Sequence, residues 1–263
     1  MSTHSFDKKI IEENFSRGAK NYELLAKVQK STAARLCKLA KNFIKENSKI
    51  LDLGSGTSFI AKNFCADEKI CAKNFYLTEL DISAEMLKSW TARPKNITTI
   101  QGDFEKLPFS KNSFDILISS FSLQWLSDFE KNFSKFFEIL KSGGSLIIAL
   151  PTKNSLFEIK SARIFETIDF PRADLLKLAA KKSGFAEVFF EQETKFEEFS
   201  KASECLKTVS KIGGGYSENN PKKLSKSALK KLDEFCLENF SNKNKKTVIS
   251  WSISYFIFTK NHA

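Results

Sequence analysis

Five consecutive residues, Asp52-Leu53-Gly54-Ser55-Gly56, set a carboxylate just ahead of two glycines separated by one position. Glycines so spaced let a backbone turn tightly and approach a ligand that a side chain would hold off, and the helix expected next offers free amides at its positive end. The third glycine of a nucleotide-binding fingerprint is replaced by Ser58, so the motif alone is weak and a plain strand-to-helix turn competes with it. Two further acids close later apolar runs. Asp81 follows Phe75 to Leu80, where a carboxylate can accept both hydroxyls of a ribose or instead cap a helix opening at Ser83. Asp103 follows Ile97 to Gln101 and Gly102, with Phe104 beside it; the pair suits an adenine amino group and ring face, or an Asx-turn.

Three such strand ends in succession are hard to explain as three independent turns. Together they describe an adenosine site without a phosphate clamp, since no lysine follows the glycines as in a phosphate-binding loop. S-adenosylmethionine is therefore favoured over ATP or NAD. Histidine occurs only as His4 and His262, at the chain ends, which removes most routes to a histidine base, a catalytic triad or an imidazole-held metal. The chemistry expected is one in which a cofactor supplies the reactive group and the protein supplies position. Cys37, Cys65, Cys71, Cys205 and Cys236 are scattered, odd in number and without a CxxC pair, so neither a disulfide framework nor a zinc site is expected, and no metal.

The elements that must position these residues alternate in type. Residues 8 to 46 read as helical, with Phe15, Ala19, Tyr22, Ala26, Gln29 and Ala33 on one face and a break expected near Lys20. Strands are expected at 49–53, 75–80, 97–101, 114–119 and 145–150, the last entered by a turn at Ser142-Gly143-Gly144. Helices are expected to open at Thr57 or Ser58, to run from Ser83 to Trp90 and from about Asp128 to Leu140, and to continue to Lys182 from Pro171 in the first turn. Gly184 ends that last helix; 185–191 reads as a strand, 199–240 as helices split by Gly213-Gly214-Gly215-Tyr216, and 247–259 as a long closing strand. Alternating strands and helices imply βαβ units, right-handed crossovers and an α/β fold: a doubly wound, mostly parallel, Rossmann-like sheet covered on both faces.

At 263 residues, 41% apolar and 28% charged, the chain has ordinary globular composition and length for one core with an insertion or cap. No leader-like segment or membrane-length apolar run is seen, so a cytoplasmic location is expected. The net charge is +11, and apart from Arg17, Arg35, Arg93, Arg163 and Arg172 the basic residues are lysines. That excess reads either as a solvated surface produced by coding bias or as a field for an acidic partner. Clusters at Lys222, Lys223, Lys226, Lys230, Lys231 and at Lys243, Lys245, Lys246 lack the interleaved aromatics and arginines of a nucleic-acid groove, so nucleic acid is not the expected partner.

The segments ILDLGSGTS, LTELDISAEML, GDFEKLPF, SFDILISS and LKSGGSLIIAL resemble, in order, the successive motifs of class I S-adenosylmethionine-dependent methyltransferases over roughly residues 49 to 150. A narrower similarity extends over most of the chain: NFSRGAKNYELLAKVQ, SSFSLQWLSD and SKIGGGYSENNPKKLSKSAL look like the malonyl-[acyl-carrier protein] O-methyltransferases of biotin synthesis. The resemblance implies a class I methyltransferase fold with S-adenosyl-L-methionine as cofactor. It divides the chain into an N-terminal helical lid at 1–46, a cofactor-binding core at 47–198 and 246–263, and a helical insertion or cap at 199–245.

Carried over residue by residue, the resemblance assigns the cofactor to Asp52, Gly54, Ser55, Gly56, Asp81, Ile82, Asp103, Phe104 and Ser119. Gly54 and Gly56 would pass beneath the methionine part and Asp81 would hold the ribose. Asp103 and Phe104 would meet the adenine, with Ile82 on its other face and Ser119 near the sulfonium. Tyr22, beside Phe15 and Gln29, would form the lid, and Gln124-Trp125 part of an acyl pocket; Tyr22 and Trp125 are the catalytic candidates, with core packing as their alternative role. The family pattern usually has glycine where this chain has Ser58. The implied reaction is displacement by an already ionised carboxylate, which needs no general base. The implied partner is an acidic acyl carrier protein, or a coenzyme A thioester, with no membrane and a monomeric enzyme. Three rivals stay open: a methyltransferase for another small molecule or a related protein-modifying enzyme, a nucleic-acid methylating or binding protein, and a non-catalytic module. The nucleic-acid reading is opposed by Ser119-Ser120-Phe121-Ser122 where an NPPY-type motif would stand.

Overall fold

The computed structural model of the chain describes residues 6–164, 168–215 and 224–261. His4, Tyr216, Lys222, Lys223 and His262 lie outside the described residues. Among the described residues one seven-stranded sheet runs in the order β3-β2-β1-β4-β5-β7-β6. Its strands are β1 Lys49–Leu53, β2 Tyr76–Asp81, β3 Ile97–Gln101, β4 Phe114–Ser120, β5 Leu140–Pro151, β6 Phe185–Phe199 and β7 Thr247–Lys260. The first five are parallel and β7 is antiparallel to both β5 and β6, so the sheet is doubly wound and mostly parallel, as its alternating elements predict. Order reverses beside β1, and β1 and β4 part their following connections to opposite sides, which opens a crevice at their carboxyl ends.

The helices are α1 Lys8–Leu25, α2 Lys27–Ala40, α3 Phe59–Ala66, α4 Glu68–Cys71, α5 Ala84–Lys88, α6 Phe129–Ile139, α7 Phe157–Ser161, α8 Ala173–Lys182, α9 Ala202–Lys211 and α10 Lys226–Asn239. One core packs β-strand residues Ile50, Ile118 and Ile253 against Leu36 of α2, Phe64 of α3, Cys205 of α9 and Leu232 of α10; the other packs Leu51, Leu117 and Phe256 against Phe133 and Phe136 of α6 and Leu176 of α8. Alternate residues of the buried strands thus feed opposite layers, the period-two rule of a sheet covered on both faces.

Several boundaries differ from expectation for local reasons. The break in the first helical stretch falls at Ala26, not near Lys20: Ala26 leaves helical geometry (ψ 56°), and Gly18 remains inside α1, where a Cβ would lie 2.6 Å from the Ile212 carbonyl carbon. The helix after Ser83 ends at Lys88, two residues short of Trp90. Pro171 precedes α8 rather than lying in its first turn, since Arg172 is the N-cap and Ala173 the first helical residue. The turn at Ser142-Gly143-Gly144 is absorbed as an irregularity in the β4–β5 register between Phe114 and Ile116. Strand β6 runs eight residues beyond Glu191, because β7 is long enough to pair with it as far as Phe199 and Thr247.

Candidate active site

Asp52, at the penultimate position of β1, precedes a turn in which Gly54 and Gly56 both adopt left-handed backbone (φ 75° and 55°). A Cβ on Gly54 would lie 2.4 Å from the Ser122 hydroxyl, so only glycine fits. The Gly54 and Ser55 amides donate to the Leu80 carbonyl at 2.8 and 3.0 Å, which ties the turn to the end of β2. Ser58, in the place of the third glycine, is also left-handed (φ 71°), a conformation that costs a residue with a Cβ on the order of 1 kcal/mol. It occupies the N-cap position of α3 but its hydroxyl makes no capping bond; instead it accepts from Arg93 at 3.0 Å. Capping by Ser58 is thus replaced by a tether. The same guanidinium donates to the Glu79 carboxylate at 2.6 Å and to the carbonyls of Leu87 and Trp90, fastening α5, β2 and the glycine turn together.

Asp81, at the end of β2, receives the Gly56 amide on one oxygen at 2.8 Å and the Ser83 amide on the other at 2.9 Å. The helix cap is Ser83 itself, whose hydroxyl accepts from the Met86 amide. Burial pushes the Asp81 carboxyl up to about 6 against those two amide bonds, which favour its charge, with the Glu79 carboxylate adding to the rise. Asp52 and Glu79 are register partners on β1 and β2. Both are buried, and neither Asp52 oxygen has a hydrogen-bond partner among the described residues. Burial, then Glu79 and Asp81, hold the Asp52 carboxyl well above the ordinary carboxylate range. Asp103 accepts the Glu105 amide at 2.9 Å, so the Asx-turn is present, and the residue still lines the cleft.

A cleft gathers Gly54, Gly56, Asp81, Ile82, Asp103 and Phe104 on its floor and walls, with Tyr22 and Trp125 also in its lining. Helix α1 forms the roof through Ile11, Phe15 and Tyr22. Tyr22 stands over the glycine turn, with its ring carbon 3.9 Å from where a Gly56 Cβ would be, and packs on Phe59 at 5.7 Å between centroids. Burial, then Asp81, raises the Tyr22 phenol far out of reach of neutral pH. Trp125, on a short 3-10 turn at Leu123–Trp125, is buried and meets the rings of Phe6 and Phe15 edge-on at 5.4 and 6.0 Å.

Three of the residues singled out from sequence lie behind this lining. Ser119 is buried in β4 and its hydroxyl donates to the Leu53 carbonyl at 2.7 Å; Asp52 and Ser55 are buried beneath the turn. The hydroxyl that reaches the cleft beyond β4 is that of Ser122, which donates to the Gly54 carbonyl at 2.7 Å. Gln124 is buried beside Trp125 and donates to the Phe121 carbonyl. The sequence pattern does not mark Lys8, Ile11, Met86, Phe121 and Ser122 as lining residues, nor Arg93 as the tether. Only Arg93 left a signal, as one of five arginines in a lysine-rich chain. Lys8 closes the roof at the wall that carries Phe104: its ammonium meets Glu105 at 2.5 Å and the Trp125 carbonyl at 2.9 Å, and lies 5.3 Å from the centre of the Phe104 ring. Burial tends to raise Glu105, but the bonds from Lys8 and Ser127 outweigh it and hold the carboxyl below its ordinary value.

A larger open hollow of about 520 Å³, lined by Asn154, Phe157, Gln192, Thr194, Ser250 and Ser252, lies beside β6 and β7; its lining has no ionisable side chain, so the chemistry belongs to the cleft. Among the described residues no group of three or more His, Cys, Asp or Glu side chains is placed to hold a metal ion. Nor, among them, is any helix long and apolar enough to cross a membrane.

Residues 51–148 match the family model of a methyltransferase domain. Over 240 residues, 87% of this chain and 90% of the relative, the sequence is 31% identical to a malonyl-[acyl-carrier protein] O-methyltransferase from Buchnera aphidicola. It is 27% identical over 253 residues, 90% of each, to a malonyl-[acyl-carrier protein] O-methyltransferase from Ilyobacter polytropus. Among solved structures, a putative methyltransferase from Bacillus halodurans superposes with a TM-score of 0.65 at 16% identity, covering 88% of this chain and 99% of the other, which shows a shared fold.

Proposed function

We propose, since this chain belongs to the class I S-adenosylmethionine-dependent methyltransferases, that it methylates the free carboxylate of a malonyl thioester carried on an acyl carrier protein, a carboxyl O-methyl transfer serving biotin synthesis. The cofactor is S-adenosyl-L-methionine. The residues present fit it: the left-handed glycines leave bare backbone under the cleft, and Asp81 and Asp103 face it. When bound, it supplies an electrophilic methyl group on a sulfonium. Asp81 would hold the ribose, Ile82, Asp103 and Phe104 the adenine, and Gly54 and Gly56 the methionine part, with Asp52, Ser55 and Ser119 supporting the floor from behind.

One observation carries the reaction class: the ionisable groups lining the cleft are Lys8, Tyr22, Asp81 and Asp103, with no histidine or cysteine among them, and the raised Asp81 carboxyl has both oxygens engaged by the Gly56 and Ser83 amides, so the lining offers no free general base to a nucleophile. An acceptor already ionised at neutral pH, such as malonyl carboxylate, needs none. The chain's own contribution is then orientation and exclusion of water. Tyr22, Phe15 and Ile11 roof the cleft, Trp125 forms the wall against which the acyl chain would lie, and the neutral Tyr22 hydroxyl is a donor for an acceptor oxygen. We read α1 and α2 as the lid over this core and α9 and α10 as its cap. The malonyl assignment is supported by the 31% identity that spans nine-tenths of the Buchnera relative.

The test is to incubate the protein with methyl-labelled S-adenosylmethionine and malonyl-, glutaryl- or acetyl-carrier thioesters, with RNA as a parallel acceptor. Label is expected only in the thioesters that bear a free carboxylate. Transfer to RNA, or none to malonyl thioester despite tight cofactor binding, overturns the reading.

A further inference from the structure

Helix α1 has two faces with different work. Ile11, Phe15 and Tyr22 recur at helical spacing and look into the cleft, whereas Glu13, Arg17, Lys20 and Leu24 recur at steps of four, three and four on the opposite side and are exposed. Helix α9 repeats the division: Ala202 and Cys205 are buried, while Lys207 and Lys211, four residues apart, are exposed. The two helices meet at close quarters. A Cβ on Gly18 would lie 2.6 Å from the Ile212 carbonyl carbon, a Cβ on Gly213 would lie 2.7 Å from the Phe15 Cα, and the Asn14 side chain donates to the Gly215 carbonyl at 3.0 Å. Arg17 and Lys211, sequence neighbours of Gly18 and Ile212, are thereby brought to the two sides of one seam.

None of Arg17, Lys20, Lys207 and Lys211 is in an ion pair among the described residues; Arg17 bonds only to the Glu13 carbonyl and the Asn14 side chain. In the lysine-rich C-terminal segments Lys230 has Glu234 alongside and Lys246 faces Glu198, while Lys226, Lys231, Lys243 and Lys245 are likewise in no ion pair among the described residues; these segments differ from the seam in position, since α10 packs on α9 and α7 rather than on the roof helix. The roof also carries Leu24, 76% exposed, one turn from Lys20. An apolar contact beside unpaired cations is what an amphipathic acidic helix would recognise, with the cations setting approach and register.

We propose that the outer face of the α1–α9 seam, built on Arg17, Lys20, Leu24, Lys207 and Lys211, is the docking surface for the acidic carrier protein, which rests on the malonyl-carrier reading above. Docking there seats the carrier on the roof of the cleft, so that its flexible acyl arm needs only to reach past the edge of α1.

The test compares kcat/KM for malonyl-carrier thioester and malonyl-coenzyme A in wild type, in Lys207→Glu/Lys211→Glu, in the milder Arg17→Gln/Lys207→Gln, and in Lys243→Glu/Lys245→Glu as an equal change of charge elsewhere. The seam variants are expected to lose about tenfold on the carrier substrate, to show a flatter salt dependence, and to keep the wild-type value on the coenzyme A thioester. The C-terminal variant should lose much less. Equal losses in the C-terminal and seam variants, or losses in both seam variants on both thioesters, overturn the proposal. Titration of isotope-labelled holo carrier protein with wild type and with Lys207→Glu/Lys211→Glu separates the two readings: binding that the seam variant loses, without methylation by wild type, rejects the malonyl assignment and keeps the surface, and binding that the seam variant retains, or absence of binding, rejects the surface.

Discussion

Asp52 and Glu79 lie side by side as register partners on β1 and β2, yet only Glu79 is neutralised, by the Arg93 guanidinium at 2.6 Å. A buried acid without a partner is costly in its charged form. Its folded value is raised, so its stabilising contribution is complete below the unfolded value and is lost as pH rises toward the folded one. Asp52→Asn should therefore stabilise the cofactor-free protein by about 1–3 kcal/mol at pH 8. The gain should fade on acidification, and cofactor binding should weaken. A lower thermal midpoint at pH 8 would show that Asp52 has a partner in solution.

Burial pushes the Asp81 carboxyl up to about 6, against the amide bonds from Ser83 and Gly56. If its charged form grips the ribose hydroxyls, cofactor affinity measured by calorimetry should be full above pH 7 and fall as pH drops through about 6. Asp81→Ala should lose affinity by on the order of tenfold or more and flatten that limb. Unchanged affinity would remove Asp81 from the ribose site.

Gly18 has no room for a side chain: a methyl group would meet the Ile212 backbone at 2.6 Å. Gly18→Ala should destabilise the fold by about 1–3 kcal/mol by forcing α1 and α9 apart. Hydrogen exchange of α1 amides should rise more than that of β1 and β4. Uniform or unchanged exchange would mean that the seam does not hold the roof.

Lys8 pins the start of the roof to Glu105 and to the Trp125 carbonyl. Removing this charge-assisted contact in Lys8→Ala should cost about 1.5–3 kcal/mol of roof closure. Fluorescence titration should report it as weaker cofactor binding, while the fold and the thermal midpoint change little. Wild-type affinity in the variant would contradict the latch.

The strand ends were legible in the sequence because each is local. An apolar run that stops at glycine or aspartate, followed by a helix start, specifies its own turn, and the order of such units leaves few ways to wind a parallel sheet. Gly54, Gly56, Asp81, Asp103 and Phe104 were found in this way, and the cleft brings them together. Tyr22, Phe15 and Trp125 were legible only through a family resemblance, since an aromatic on a helix face packs in a core as readily as over a ligand. What no local pattern carries is contact across 97 or 194 residues: Lys8 on Glu105, or Gly18 on Ile212. Those pairs, the Arg93 tether on Ser58, the placement of Ser122 at the cleft in front of Ser119, and the neutralisation of Glu79 but not Asp52 follow from how layers stack on the sheet. Sequence spacing determines which face of an element a residue occupies, whereas the partner facing it is chosen only when the elements pack.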